Sequence, residues 1–208
     1  MKNVAELLDE TFVVISGDSI TDFDLRDAIA FHRAKGSKAT LVLTRVPNPI
    51  EFGVVITDGD DRIVRFLEKP STSEIFSDTV NTGIYILEPS VLDYLEPGCE
   101  HDFSKDLFPL LLEKGDPMYG YVAEGYWCDV GHLDAYREAQ YDALQGKVRL
   151  DTSYPETTTG IRIGLNSFVH PSATLHSPLL IGDNCRIGPR AELDSGTCLL
   201  YTSDAADD

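Results

Sequence analysis

The chain has 208 residues, of which 42% are hydrophobic and 25% charged, the balance of an ordinary globular protein and not of a disordered or low-complexity one. No apolar run approaches the roughly 18 residues that a membrane-spanning helix needs. The formal net charge of −18 disfavours nucleic-acid backbones, and it requires that an anionic substrate be met by a metal ion or a few well-placed cations.

The opening MKNVAELLDE is charged and lacks an apolar export segment. Val4–Leu8 reads as a short helical piece, followed at once by an apolar strand, Thr11–Ile15. Such a strand usually has βα units before it in a parallel α/β domain, so part of the domain is expected upstream of Met1. A helix follows over Asp24–Lys35, capped by Asp22 or Asp24, with Leu25, Ala28, Ile29 and Phe31 on its apolar side and Gly36 at its end. Further strands are predicted at Ala39–Val46, Gly53–Thr57, Ile63–Leu67, Thr79–Leu87 and Met118–Val122. Asp58-Gly59 turns the second of these into the third as a hairpin, Gly53 to Leu67. Helices are predicted at Ser90–Leu95, Ser104–Glu113 and His132–Leu144, the last with Leu133, Tyr136, Gln140 and Ala143 on one face. The alternation predicts an α/β domain over residues 1–150 with a mostly parallel sheet.

Residues 151–162, rich in Thr, Pro and Gly, read as a linker. From there the period changes. Ile163, Val169, Leu175, Ile181, Ile187 and Leu193 recur every six residues. Mostly small residues follow four positions later (Ser167, Ala173, Leu179, Cys185, Ala191, Thr197). Six hexads predict a left-handed parallel β-helix, each aliphatic residue stacking on its counterpart eighteen residues on. Residues 198–208 read as a non-native tail without periodicity, resembling a translated sequencing adapter. The cysteines (Cys99, Cys128, Cys185, Cys198) show no C-x-x-C spacing, so reduced thiols in the cytoplasm are expected.

Five motifs carry candidate chemistry. Ser16-Gly17-Asp18-Ser19 follows a strand end, where open α/β sheets bind ligands. Gly17 allows a turn and close approach, and Asp18 is a hard oxygen ligand for Mg²⁺ or, alternatively, a helix cap. Asp129, in Tyr126-Trp127-Cys128-Asp129-Val130-Gly131, presents the same two choices. In Phe66-Leu67-Glu68-Lys69-Pro70, Lys69 can hold a phosphate and Glu68 can accept two sugar hydroxyls; an exposed ion pair is the alternative. Asn81, Thr82 and Gly83 offer short polar arms and close backbone approach, and Gly53 in Glu51-Phe52-Gly53-Val54-Val55 can admit a sugar ring. His170 and His176 lie within the hexads without an acyl-carrier signature beside them.

The order of these motifs, GD, FGVV, EKP, NTGIY and W-x-D-V-G with hexads after them, resembles the sugar-nucleotide pyrophosphorylases, and most closely the bacterial mannose-1-phosphate guanylyltransferases, including forms fused to a phosphomannomutase-like domain. The resemblance covers residues 1–197. It implies a Rossmann-like, GT-A-like mixed sheet truncated at its N-terminus, followed by the start of the β-helix. It implies transfer of a nucleotidyl group from an NTP, GTP above all, to a sugar 1-phosphate, mannose 1-phosphate above all, with release of pyrophosphate. Asp18 and Asp129 would be the Mg²⁺ ligands and Lys69 the phosphate-holding catalytic cation. Gly17, Gly53, Glu68, Asn81, Thr82, Gly83 and Trp127 would bind substrate. The partners implied are NTP and sugar 1-phosphate, with homo-oligomerisation of the complete protein and neither nucleic acid nor membrane.

The family's Gly-rich loop with its Arg, and its Pro-Lys pair, do not occur here. If two or three βα units precede this chain, roughly 60–90 residues carry them, and the chain by itself is expected to be inactive. Three other readings stay open: a glucose-1-phosphate uridylyl-, thymidylyl- or adenylyltransferase, a non-catalytic sugar-nucleotide sensor, and a purely structural β-helix module.

Overall fold

The computed structural model describes residues 2–68, 77–150, 154, 156–200 and 204–205. They divide into two units, one made of Met1–Ser19 with Phe23–Asp129, the other of Ile20–Asp22 with Val130–Asp208. Among the described residues no helix is long and apolar enough to cross a membrane.

The first unit begins with a 3-10 turn at Lys2–Leu7 and β1 (Phe12–Ile15); β2 (Ser19–Thr21) follows, its Ile20 and Thr21 counted in the second unit. Helix α1 (Leu25–Lys35) is capped by the Asp24 side chain, which accepts from the Arg26 amide at 3.0 Å, and stopped by Gly36 in the left-handed region (φ 58°). There follow β3 (Ala39–Arg45), β4 (Gly53–Thr57), β5 (Ile63–Glu68) and β6 (Thr79–Leu87), then helix α2 (Phe108–Glu113), β7 (Met118–Val122) and β8 (Trp127–Asp129). Strand boundaries at β4, β6 and β7 coincide with the sequence expectation. Pro89–Tyr94 is 3-10, and Phe103–Leu107 forms a π-type turn leading into α2.

The sheet runs β5-β4-β6-β3-β7, with β1 also paired to β6. It is mixed. Only β3 and β7 pair in parallel; β1/β6, β3/β6, β4/β5 and β4/β6 are antiparallel. The expectation of a mostly parallel sheet is therefore corrected. Strand β6 enters the middle of the sheet against the direction of β1 and β3, and hydrophobic runs alone do not encode strand direction.

Alternation along β3 serves both faces. Ala39, Leu41 and Leu43 join Leu92, Leu107, Phe108, Leu111 and Met118 on one side, while Val42 joins Ile84, Ile86, Ala28 and Phe23 on the other. Burying each such Leu, Ile or Phe contributes about 1.5–3 kcal/mol. One polar side chain is sealed into this packing. His32 of α1 is 1% exposed; its Nδ1 lies 2.8 Å from Thr40 Oγ1 and its Nε2 3.1 Å from Glu88 Oε1. The Thr11 hydroxyl, which donates to Glu88 at 2.6 Å, and the His32 ring hold the Glu88 carboxyl below its ordinary range.

The second unit contains α3 (Leu133–Leu144), capped by His132, whose Nδ1 accepts from the Ala135 amide. Residues Ala135 and Ala139 are its buried positions. Leu133 and Tyr136 are 86% and 55% exposed, which corrects the face expected from periodicity. The buried stripe is the alanine one. The division between the units falls at Asp129/Val130, ahead of the expected residue 150.

Within 151–162, read as a linker, residues 151–153 and 155 lie outside the described residues, and two strands form, β9 (Glu156–Thr158) and β10 (Ile161–Ile163), paired antiparallel. Short strands then follow: β11 (Phe168–Val169), β12 (Thr174–Leu175), β13 (Leu179–Ile181), β14 (Arg186–Ile187), β15 (Glu192–Leu193), β16 (Cys198–Leu199) and β17 (Asp204–Ala205). They stack in parallel: β10 on β13 on β16, β11 on β14 on β17, and β12 on β15, each register offset by eighteen residues. Ile163, Val169, Leu175, Ile181, Ile187 and Leu193 converge on one apolar cluster, as the six-residue period predicts. The stacking does not stop at residue 197. Leu199 occupies the next hexad position, pairs with Ile181 and packs on the same cluster, so the period extends at least to Leu199.

Candidate active site

Segments at β1, β4, β6 and β8 frame one cleft of about 300 Å³. At the end of β1, Ser16 donates its amide to the carbonyl of Gly83, tying the loop to β6 at 3.0 Å. Two residues on, Asp18 lines the cleft, with its Oδ1 accepting from Ser16 Oγ at 2.5 Å. Asp129, the last residue of β8, lines the same cleft. The helix-capping alternatives for both aspartates do not hold, because Asp24 caps α1 and His132 caps α3.

The floor is a bulge in β6. Ile84 pairs with Val42, but the next residue of β3, Leu43, pairs with Asn81, leaving Thr82 and Gly83 as extra residues. Three contacts fix the bulge. Asn81 Oδ1 accepts from the Gly83 amide at 3.0 Å, the Thr82 hydroxyl donates to the Val42 carbonyl at 2.7 Å, and the Trp127 indole donates to the Thr82 carbonyl at 3.1 Å. Gly83 has φ +76°, where side chains are disfavoured, and a Cβ there would fall 2.8 Å from Ser16 Cβ. On the opposite wall, Glu51, Phe52 and Gly53 stand at the start of β4, and the Phe52 and Trp127 rings meet edge-on with centroids 5.4 Å apart.

The cleft thus brings together Asp18, Gly53, Asn81, Thr82, Gly83, Trp127 and Asp129 from the expected set. Two residues of that set stand differently. Thr82 is 1% exposed with its hydroxyl committed inside the sheet, so it shapes the bulge and does not offer its side chain to a ligand. Gly17 does not line the cleft, and its φ is not positive, so the turn there does not require glycine. Glu68 ends β5 opposite Gly53, while the placement of its side chain, and all of Lys69, fall outside the described residues. Sequence reasoning did not assign Ser16, Ser19, Glu51, Phe52 or Ser104, which also line the cleft. Four of them lie inside the quoted motifs. Ser104 arrives from the turn capped by Asp102 and has no local sequence signal.

The charge of the lining is one-sided. Among its described residues, Asp18, Glu51 and Asp129 carry carboxylates and no cationic side chain is present. Carboxylate oxygens lining one cleft are the donor type that an oxygen-seeking divalent cation such as Mg²⁺ takes.

A polar cleft at the strand ends of an α/β sheet is where such sheets bind ligands. The family model "Nucleotidyl transferase" matches residues 1–146, and the chain belongs to that family, among the sugar-nucleotide pyrophosphorylases. It is 38% identical over 184 residues to a UTP–glucose-1-phosphate uridylyltransferase of Synechocystis, covering 86% of this chain and 47% of the relative. It is 34% identical over 194 residues to a mannose-1-phosphate guanylyltransferase of Mycobacterium tuberculosis, covering 92% of this chain and 53% of that one. The chain thus spans about half the length of these curated relatives. Its fold resembles that of a Bacillus anthracis protein crystallised with sucrose (TM-score 0.60, 24% identity, 73% of this chain and 61% of the other). A second likeness is to HddC from Yersinia pseudotuberculosis (TM-score 0.55, 23% identity, 66% and 58%).

Proposed function

We propose that this chain is part of a sugar-1-phosphate nucleotidyltransferase, and that the cleft between β1, β4, β6 and β8 is where the sugar phosphate and the metal meet. The observation that carries the reading is the placement of Asp18 and Asp129, 111 positions apart in the sequence, on the lining of one cleft. In the reaction a phosphate oxygen of the sugar 1-phosphate attacks the α-phosphorus of the NTP, the bond to the β-phosphate breaks and pyrophosphate leaves. The protein's task is positioning and charge neutralisation.

Asp18 and Asp129 would hold Mg²⁺, which when bound offsets the charge on the two phosphates. Ser16 Oγ orients the Asp18 carboxylate by donating to it. The Trp127 indole and the Asn81 side chain fix the β6 bulge, which sets Gly83 in the cleft lining where the sugar would lie. Lys69 neutralises the incoming phosphate and Glu68 receives sugar hydroxyls, roles that rest on the resemblance of Glu68-Lys69-Pro70 to the family motif. GTP with mannose 1-phosphate is the pair the motif order favours, supported by the Mycobacterium relative. A second reading, UTP with glucose 1-phosphate, draws on the higher identity to the Synechocystis relative.

The eighteen-residue stacks support the reading of residues from 163 onward as the start of a left-handed parallel β-helix. Its flat faces give the complete protein a surface for homo-oligomerisation. The test of function is pyrophosphate release by the full-length protein with GTP, UTP, dTTP and ATP, each with mannose 1-phosphate and glucose 1-phosphate. Turnover with one pair only assigns the substrates; no turnover with any pair, despite binding of a sugar nucleotide, assigns a sensor instead.

A further inference from the structure

Outside the cleft, three ligating side chains meet on the outer face of the stacked strands. Strands β12 and β15 pair with Thr174 opposite Glu192 and Leu175 opposite Leu193. Leu175 and Leu193 join the apolar cluster, so strand alternation turns positions 174, 176, 192 and 194 outward. The ladder continues one residue further, the His176 amide donating to the Leu193 carbonyl at 2.9 Å, which sets His176 beside Asp194. His176 Nε2 lies 3.0 Å from Glu192 Oε1, and one ligand atom from each of His176, Glu192 and Asp194 falls within 4.8 Å of the other two. Among the described residues this is the one such trio of His, Cys, Asp and Glu side chains.

We propose that His176, Glu192 and Asp194 form a binding site for a divalent first-row transition ion, Co²⁺, Ni²⁺ or Zn²⁺, separate from the Mg²⁺ site proposed above. The donor set is one imidazole nitrogen and two carboxylates. The imidazole favours transition ions over Mg²⁺ or Ca²⁺. Bonds of about 2.0–2.2 Å need ligand atoms about 3 Å apart, so exposed side chains must close by up to about 1.8 Å through χ rotation. The backbone under them stays fixed, because the intervening leucines are held in the apolar cluster and the strands are hydrogen-bonded. The three ligands occupy one side of the ion and leave its other positions to water. Two adjacent carboxylates carry negative charge that a dication offsets. The competing account is a simple ion pair of protonated His176 with Glu192, and it predicts no metal affinity.

The test is a Co²⁺ titration followed by ¹⁵N–¹H correlation spectra of the chain, in which paramagnetic broadening locates the ion. Broadening centred on residues 174–176 and 192–194 below millimolar Co²⁺ is expected. It should need at least tenfold more Co²⁺ in either His176→Ala or Glu192→Gln, with the rest of the spectrum unchanged. No localised broadening below millimolar Co²⁺ overturns the site. So does broadening that both variants leave unchanged, which would assign it to other groups.

Discussion

Gly83 and Ser16 stand so close that a Cβ on Gly83 would lie 2.8 Å from that of Ser16. The bulge in β6 and the loop after β1 are thereby locked together, and this loop carries Asp18. Gly83→Ala meets both the positive φ and the Ser16 contact. It should destabilise the first unit by about 1–3 kcal/mol, read as a lowered denaturant midpoint. An unchanged midpoint would mean that the loop yields freely and does not hold Asp18 in place.

Trp127 acts on the same bulge from the other side. Trp127→Phe keeps a ring against Phe52 and removes the indole donor from the Thr82 carbonyl. A loss of about 1 kcal/mol in stability is expected, with a larger rise in KM for sugar 1-phosphate than fall in kcat in the full-length protein. Equal KM values would detach Trp127 from substrate positioning.

Acid should weaken the fold through two carboxyls. Glu88 is held below its ordinary range by the Thr11 hydroxyl first and then by His32. Asp116 is held low first by its hydrogen bond from Lys38, 2.6 Å away, with the Tyr94 hydroxyl adding to it. A carboxyl with a lowered folded pKa contributes stability that is complete above its unfolded value, about 4. That contribution is lost as pH falls from there through the lower folded value. Urea midpoints measured from pH 7 to pH 3 should therefore stay level with respect to these groups down to about pH 5 and then drop. Glu88→Gln should flatten part of the drop; an identical slope in the variant would show that Glu88 contributes none of it.

These positions show what a single sequence conveys. The β4–β5 hairpin and the hexads are legible because each is a local period with a local turn. The bulge at Asn81-Thr82-Gly83 is not, because it exists only against Val42 and Leu43 of another strand. The candidate site was legible in its motif residues, Asp18, Asn81, Gly83, Trp127 and Asp129, but Thr82 was given a ligand role that its buried hydroxyl does not support. Ser104 comes to the cleft from a turn in a different part of the chain, and no spacing rule reaches it. On α3 the large residues Leu133 and Tyr136 suggested the buried face, whereas Ala135 and Ala139 form it. Hydrophobicity ranks side chains by size, and close helix packing selects small ones.

The stacked strands offer an independent check. Ile187 is fully buried between Val169 and the strand at Asp204–Ala205. Ile187→Ala should cost about 2–5 kcal/mol, and Ile187→Val about 0.5–1.5 kcal/mol. Limited proteolysis should then cut first within residues 156–200. Cuts confined to the first unit would contradict a stack held by its inward aliphatic residues.

The shared role of Asp18 and Asp129 is tested most directly by nucleotide-sugar formation in the full-length protein over a range of Mg²⁺ concentrations, comparing wild type with Asp18→Asn and Asp129→Asn. Each variant should lose at least about a hundredfold in kcat, a barrier increase of about 2.7 kcal/mol, and raised Mg²⁺ should restore only part of it. Near-normal turnover in either variant, at the same Mg²⁺ requirement, would remove that aspartate from the metal and contradict the account.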